Sequence, residues 1–93
     1  MLIKGKTSEG FEFAVDEEAR DDMELLEGLV AMDRGEMTAA PAVVTALLGD
    51  EQKKALYEFC RAENGRVSTK KVMATIADIF KTIRKMGESD TKN

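Results

Sequence analysis

The stretch from Ser68 to Met86 constrains the fold more than any other part of the chain. Val72, Ile76, Ile79, Ile83 and Met86 recur at spacings of three and four, and Met73, Ala77 and Phe80 broaden the stripe. A face of that width belongs to a helix that other elements must cover on more than one side. Ser68 is placed to cap it, and Val67, just before, can staple onto Val72 and fix the direction of entry. The pattern therefore predicts a helix over about 69–86, and the rest of the chain has to supply its cover.

Two short strands come first. Leu2 to Lys6 and Phe11 to Val15 flank Thr7-Ser8-Glu9-Gly10, a connection suited to a hairpin over 2–15. Phe11, Phe13 and Val15 alternate onto one side, and Glu12 falls on the other, across from Lys4 or Lys6. A lone two-stranded ribbon is marginal in water, so it must lean on helices or pair through an open edge.

Asp16 has the position of an N-cap, and Glu17 and Glu18 suit the positive end of a helix dipole. A helix over about 17–34 is expected. Ala19, Met23, Leu26 and Val30 form its apolar stripe, with Leu25, Leu29 and Met32 widening it and Gly35 as the stop. So wide a stripe asks for partners on two sides. A helix over about 40–48 opens around Pro41 and carries Val43, Val44, Leu47 and Leu48; Gly49 breaks it, and Asp50 caps a further helix over about 51–64. Leu56, Phe59 and Cys60 are its inward face, and Glu63-Asn64-Gly65 ends it. The expected fold is mainly α with minor α+β character: an N-terminal hairpin followed by about four helices in one compact domain over 1–86, then a polar tail, 87–93, without fixed structure.

Chemistry finds few footholds. The 93 residues include no histidine and one cysteine, so an internal disulfide, a zinc site and the usual general base near neutral pH are all missing. Glu17, Glu18, Asp21, Asp22, Glu24 and Glu27 surround their helix without converging and lack calcium-loop spacing, which makes them a solvated face and not a metal site. The glycines form no phosphate-cradling pattern, and Cys60 on an apolar helical face reads as a small core residue. No enzyme activity, cofactor or metal is expected. No apolar run approaches the roughly 20 residues that a bilayer requires, and the start of the chain shows no signal-peptide pattern, so the expected location is the cytoplasm, without membrane contact.

Charge is unevenly placed. Between Asp16 and Glu36 nine acids face Arg20 and Arg34, whereas Arg66 to Met86 holds six bases against Asp78. One account has the acidic and basic helices packed beside each other; the other has them meeting different partners, or opposite ends of neighbouring copies. Lys70, Lys71, Lys81, Arg84 and Lys85 could neutralise phosphates, but the net charge of −4 and the absence of exposed asparagine or glutamine on that helix argue against nucleic acid. Met32 and Met37 flank the break between the first two helices, where flexible thioethers suit an adaptable groove for an apolar helix; Met23 and Met73 are expected in the core.

Leu47-Leu48-Gly49-Asp50-Glu51-Gln52, then Leu56, then Gly65-Arg66-Val67 leading into the last helix, together with a Leu2-Ile3-Lys4 hairpin opening, give an order that resembles the small tail assembly chaperones of long-tailed bacteriophages and prophages. The resemblance spans most of the chain and rests on helix caps and stops. It implies a non-enzymatic protein that coats the aggregation-prone tape measure protein while the tail tube polymerises around it in the host bacterial cytoplasm, with possible self-association. In that family a frameshifted longer form commonly carries a segment that recruits tail tube protein; no such segment is recognisable here. On this reading the docking residues would be Leu47, Leu48, Ile76 or Ile83, with Met32 and Met37 lining the adaptable groove. The alternative from another class is a small helical DNA-associated regulator.

Overall fold

The computed structural model of the protein describes residues 2–91, excluding the side chains of Arg20 and of 86–91. Strands β1 (Leu2–Lys6) and β2 (Glu12–Asp16) form an antiparallel hairpin, followed by a 3-10 turn at Glu17–Asp21, helix α1 (Met23–Asp33), a second 3-10 turn at Met37–Ala39, helix α2 (Ala40–Phe59) and helix α3 (Thr69–Thr91). The protein is thus mostly helical with an N-terminal hairpin.

The hairpin has the expected shape. Lys6 stands opposite Glu12, Lys4 opposite Ala14 and Gly5 opposite Phe13. The turn closes because the Thr7 amide donates to the Phe11 carbonyl and the Phe11 amide donates back to the buried Thr7 hydroxyl. Gly10, at φ 100°, supplies the left-handed residue that the turn needs. Phe11, Phe13 and Val15 face inward, and the Phe13 ring lies so closely across β1 that a Cβ on Gly5 would sit 2.7 Å from it.

Among the described residues three helical elements are present where about four helices were expected, because two of the four run on from one another across a kink. The two expected over 40–48 and 51–64 form one element, α2, bent at Gly49, whose φ of 81° and ψ of 169° are not helical. Gly49 breaks the helix as expected, so α2 consists of two helical arms that meet at its kink. The second half stops at Phe59, short of 64, because the chain folds back on itself there. The Ala62 amide donates to the Arg66 carbonyl, the Ser68 amide to the Cys60 carbonyl, and Arg61 and Val67 form an isolated bridge. Arg61 holds the loop by donating to the Gly65 carbonyl at 2.6 Å and pairing with Glu58 at 2.8 Å.

The helix expected over 17–34 is also divided. Asp16 caps the 3-10 turn by accepting from the Glu18 amide, but Asp22 is extended and begins a new helix, accepting from the amides of Glu24 and Leu25. A short acceptor side chain competes with the helical backbone in this way, and two acids in succession offered the chain a second cap. In contrast, α3 overruns its expected end at 86 and continues to Thr91, since Gly87 costs a helix only about 1 kcal/mol relative to alanine. Lys92 and Asn93, the end of the expected tail, lie outside the described residues. Ser68 caps α3 by accepting from the Lys71 amide.

Helix α2 is central. It touches α1, α3 and β2, while α3 runs beside β1. The core joins Phe11, Phe13 and Val15 of the hairpin to Val43, Val44, Leu47, Leu48 and Leu56 of α2 and to Val72, Ile76, Ile79 and Ile83 of α3. Phe59 packs its ring against Phe11 with centroids 5.3 Å apart, and the Lys71 ammonium lies 5.0 Å from the Phe59 centroid. Two polar clamps fix the hairpin to the helices. The Gln52 carboxamide takes both backbone groups of Ala14, donating to its carbonyl at 2.6 Å and accepting from its amide at 2.7 Å. On the other side the Ser8 amide and hydroxyl both donate to Asp78 of α3.

Candidate functional site

Helix α1 is turned by one small residue. Gly28 faces α2 so closely that a Cβ there would lie 2.5 Å from a Val43 methyl. With that side against α2, Leu25 is buried, and Leu29 and Met32 are half-buried against the core. The second apolar stripe of the same helix then points away. Met23 is 65% exposed, Leu26 54% and Val30 43%, and they line a shallow groove with Glu27, Ala31 and Arg34. The wide stripe expected to be covered on two sides is covered on one: Met23, Leu26 and Val30 are surface residues, and Met23 is not in the core.

This outer face has an acidic border. At about 100° per residue, Asp33 falls beside Leu26 and Glu27 beside Met23, with Glu24 further round the same side. All three are exposed, and among the described residues none forms an ion pair, the salt bridge present being Arg61–Glu58. Arg34, the C-cap of α1, is the one base that this face carries among its described side chains. An apolar strip between carboxylates has no hydrogen-bonding demand of its own, so it can accept an apolar helix laid along it.

The basic side of the molecule lies on α3, where Lys70, Lys81, Arg84 and Lys85 are exposed. Helix α1 packs on α2 and not along α3, and no ion pair among the described residues links the two. The two charge groups therefore do not neutralise each other within the fold.

The six residues expected at a docking surface do not form one exposed face: four of them meet in the core, and Met32 and Met37 lie apart from those four. Leu47, Leu48, Ile76 and Ile83 are core residues, 4%, 6%, 2% and 5% exposed, and Leu47 and Ile83 also line a surface pocket of about 230 Å³ with Val15, Ala19, Leu25, Phe80 and Arg84. Their apolar faces close upon one another because α2 and α3 sandwich the hairpin's aromatic side. Met32 faces inward. Met37 is 43% exposed and lines a separate groove of about 250 Å³ with Ala40, Pro41, Tyr57, Val67 and Met73. The sequence signal that would have located the outer face is Gly28, which shares a side with Leu25 and Met32 and marks where a neighbouring helix comes closest.

The remaining reactive groups have structural tasks. Cys60 is buried, its thiol pushed up by burial, with the Thr75 hydroxyl 3.8 Å away. Asp78 is held below the ordinary carboxylate range by the Ser8 hydrogen bonds, with a smaller effect from Lys81 and Lys85. Among the described residues no group of three or more metal-ligating side chains converges, and no helix is long and apolar enough to cross a membrane. Comparison of the chain with protein-family models, curated proteins and solved structures finds no match.

Proposed function

We propose that this protein is a non-enzymatic assembly chaperone that shelters an apolar helical client, the tape measure protein of a long-tailed phage or prophage, during tail tube assembly. The observation that supports this most is the outer face of α1, where Met23, Leu26 and Val30 stand exposed among the described residues. Burying one such side chain contributes roughly 1.5–3 kcal/mol, so three of them give a modest contact that several copies along one client multiply. A chaperone must also let go, and a strip of three side chains allows release that a deep pocket would hinder. The flexible thioether of Met23 suits a surface that meets client helices of varied shape. The order of caps and stops that resembles tail assembly chaperones supplies the identity of the client.

A specific observation also favours a second reading, a small DNA-associated regulator: the exposed Lys70, Lys81, Arg84 and Lys85 of α3. Salt dependence distinguishes the two. Phosphate contacts would weaken DNA binding steeply as salt rises, whereas an apolar client contact would persist.

The test is native mass spectrometry of the chain alone and after co-expression with the long tape-measure-like protein of the same genome. Several copies on one client would support the chaperone reading and give the footprint of each. A client that precipitates while the chain stays unbound would overturn it and leave the DNA reading to be examined by electrophoretic mobility at rising salt.

A further inference from the structure

The border of the α1 strip specifies its occupant more narrowly than apolar character alone. Building on the docking reading above, we infer that the outer face of α1 takes an amphipathic helix whose apolar stripe is flanked by lysine or arginine, and that it rejects both acidic helices and a second α1. Helix α1 is 11 residues long, about 16 Å, and Met23, Leu26 and Val30 occupy some 10 Å of it. That length matches a partner presenting anchors at i, i+3 or i+4, and i+7 over two to three turns. Asp33 and Glu27 lie on opposite sides of the strip and Glu24 beyond Glu27, so basic flanks on the partner would meet a carboxylate on either side; Arg34, at the C-terminal end, is the exception.

The same border argues against pairing of two copies through this face. In a parallel pairing each carboxylate would meet its own counterpart. In an antiparallel pairing about the centre of the strip, between Leu26 and Glu27, the two Glu27 side chains would come together near the axis. Like charges opposed at a forming interface suppress association. Helix α3 of a second copy is basic but is no substitute, because Val72, Ile76, Ile79 and Ile83, its apolar stripe, are already in the core. The acidic border likewise disfavours anionic membrane surfaces and nucleic acid at this site. What remains is a separate protein segment with basic flanks.

Two synthetic helices test this on the intact chain: an 18-residue amphipathic peptide with a leucine stripe flanked by lysine, and the same peptide flanked by glutamate. Amide shifts followed by NMR locate the contact. The expected result is shifts confined to α1, at least tenfold tighter binding of the lysine-flanked peptide, loss of binding in Leu26→Asp, and reversal of the preference in Glu24→Lys/Glu27→Lys/Asp33→Lys. Both variants alter exposed positions, and the dispersion of their amide spectra checks that they fold. Equal binding of both peptides to α1 would overturn the charge specificity and leave the docking reading standing. Absence of α1 shifts with either peptide would overturn both.

Discussion

Gly28 of α1 and Val43 of α2 meet so closely that a methyl group on Gly28 would lie 2.5 Å from a Val43 methyl. No real pair of carbons adopts that separation, and Val43 is 1% exposed with nowhere to retreat. The contact sets the rotation of α1 and therefore decides which of its two apolar stripes faces solvent. Gly28→Ala should destabilise the protein. Overpacking costs about 1–3 kcal/mol, and alanine's better helix propensity returns up to about 1 kcal/mol. Urea unfolding would show this, and in Gly28→Ala/Val43→Ala the losses should fall short of additive by at least about 0.5 kcal/mol. Additive losses would mean that the helices do not touch here.

Gln52 guards the free edge of β2. Its carboxamide fills both hydrogen-bonding positions of Ala14 and also donates to the Leu48 carbonyl at 2.8 Å, beside the bend at Gly49. Gln52→Ala should lose about 1–3 kcal/mol, the usual result of orphaning partly buried backbone groups, and the Ala14 amide should exchange with solvent faster than its neighbours in the strand. Gln52→Glu keeps the acceptor but loses the donor and sets a carboxylate against two carbonyls. Its loss should shrink on acidification, as protonation restores a donor.

The hydrogen bonds from Ser8 lower the pKa of Asp78 in the folded state. A carboxyl whose folded pKa is depressed contributes stability that is present above its unfolded pKa, near 4, and is lost as pH falls through the lower folded value. Ser8→Ala should move the Asp78 titration, followed by NMR, upward toward the ordinary range. Asp78→Asn should flatten the fall of stability below about pH 4. An unchanged titration in Ser8→Ala would remove the clamp from the account.

Burial pushes the Cys60 thiol up, outweighing the smaller opposing effects of the Thr75 hydroxyl and Lys71. Thiolate is the reactive form, so modification by a disulfide reagent at neutral pH should be far slower in the native protein than in urea. Fast native modification would show that the loop from Arg61 to Val67 opens readily.

Much of this architecture is legible from local chemistry. Ser68 caps the helix that its side chain says it caps, Gly10 closes the hairpin, and Val72, Ile76, Ile79 and Ile83 share one buried face because nothing interrupts their spacing. Legibility fails where two local signals compete. Asp22 offers a second cap inside a helical pattern, and Arg61 draws the chain into a loop held by contacts that no spacing encodes. The candidate surface was hidden for a related reason. Helix α1 carries two apolar stripes of similar strength, and periodicity alone cannot rank them. The choice falls to Gly28, a residue whose importance lies in the side chain that it lacks.

The most direct test of the central claim compares the wild-type chain with Leu26→Asp, each co-expressed with the tape-measure-like client and examined by native mass spectrometry. Leu26 is 54% exposed, so the variant should fold with stability within about 0.5 kcal/mol of wild type. The account predicts several wild-type copies on a soluble client and few or none of the variant. Equal numbers of both on the client would contradict it, because the outer face of α1 would then not be where the client binds.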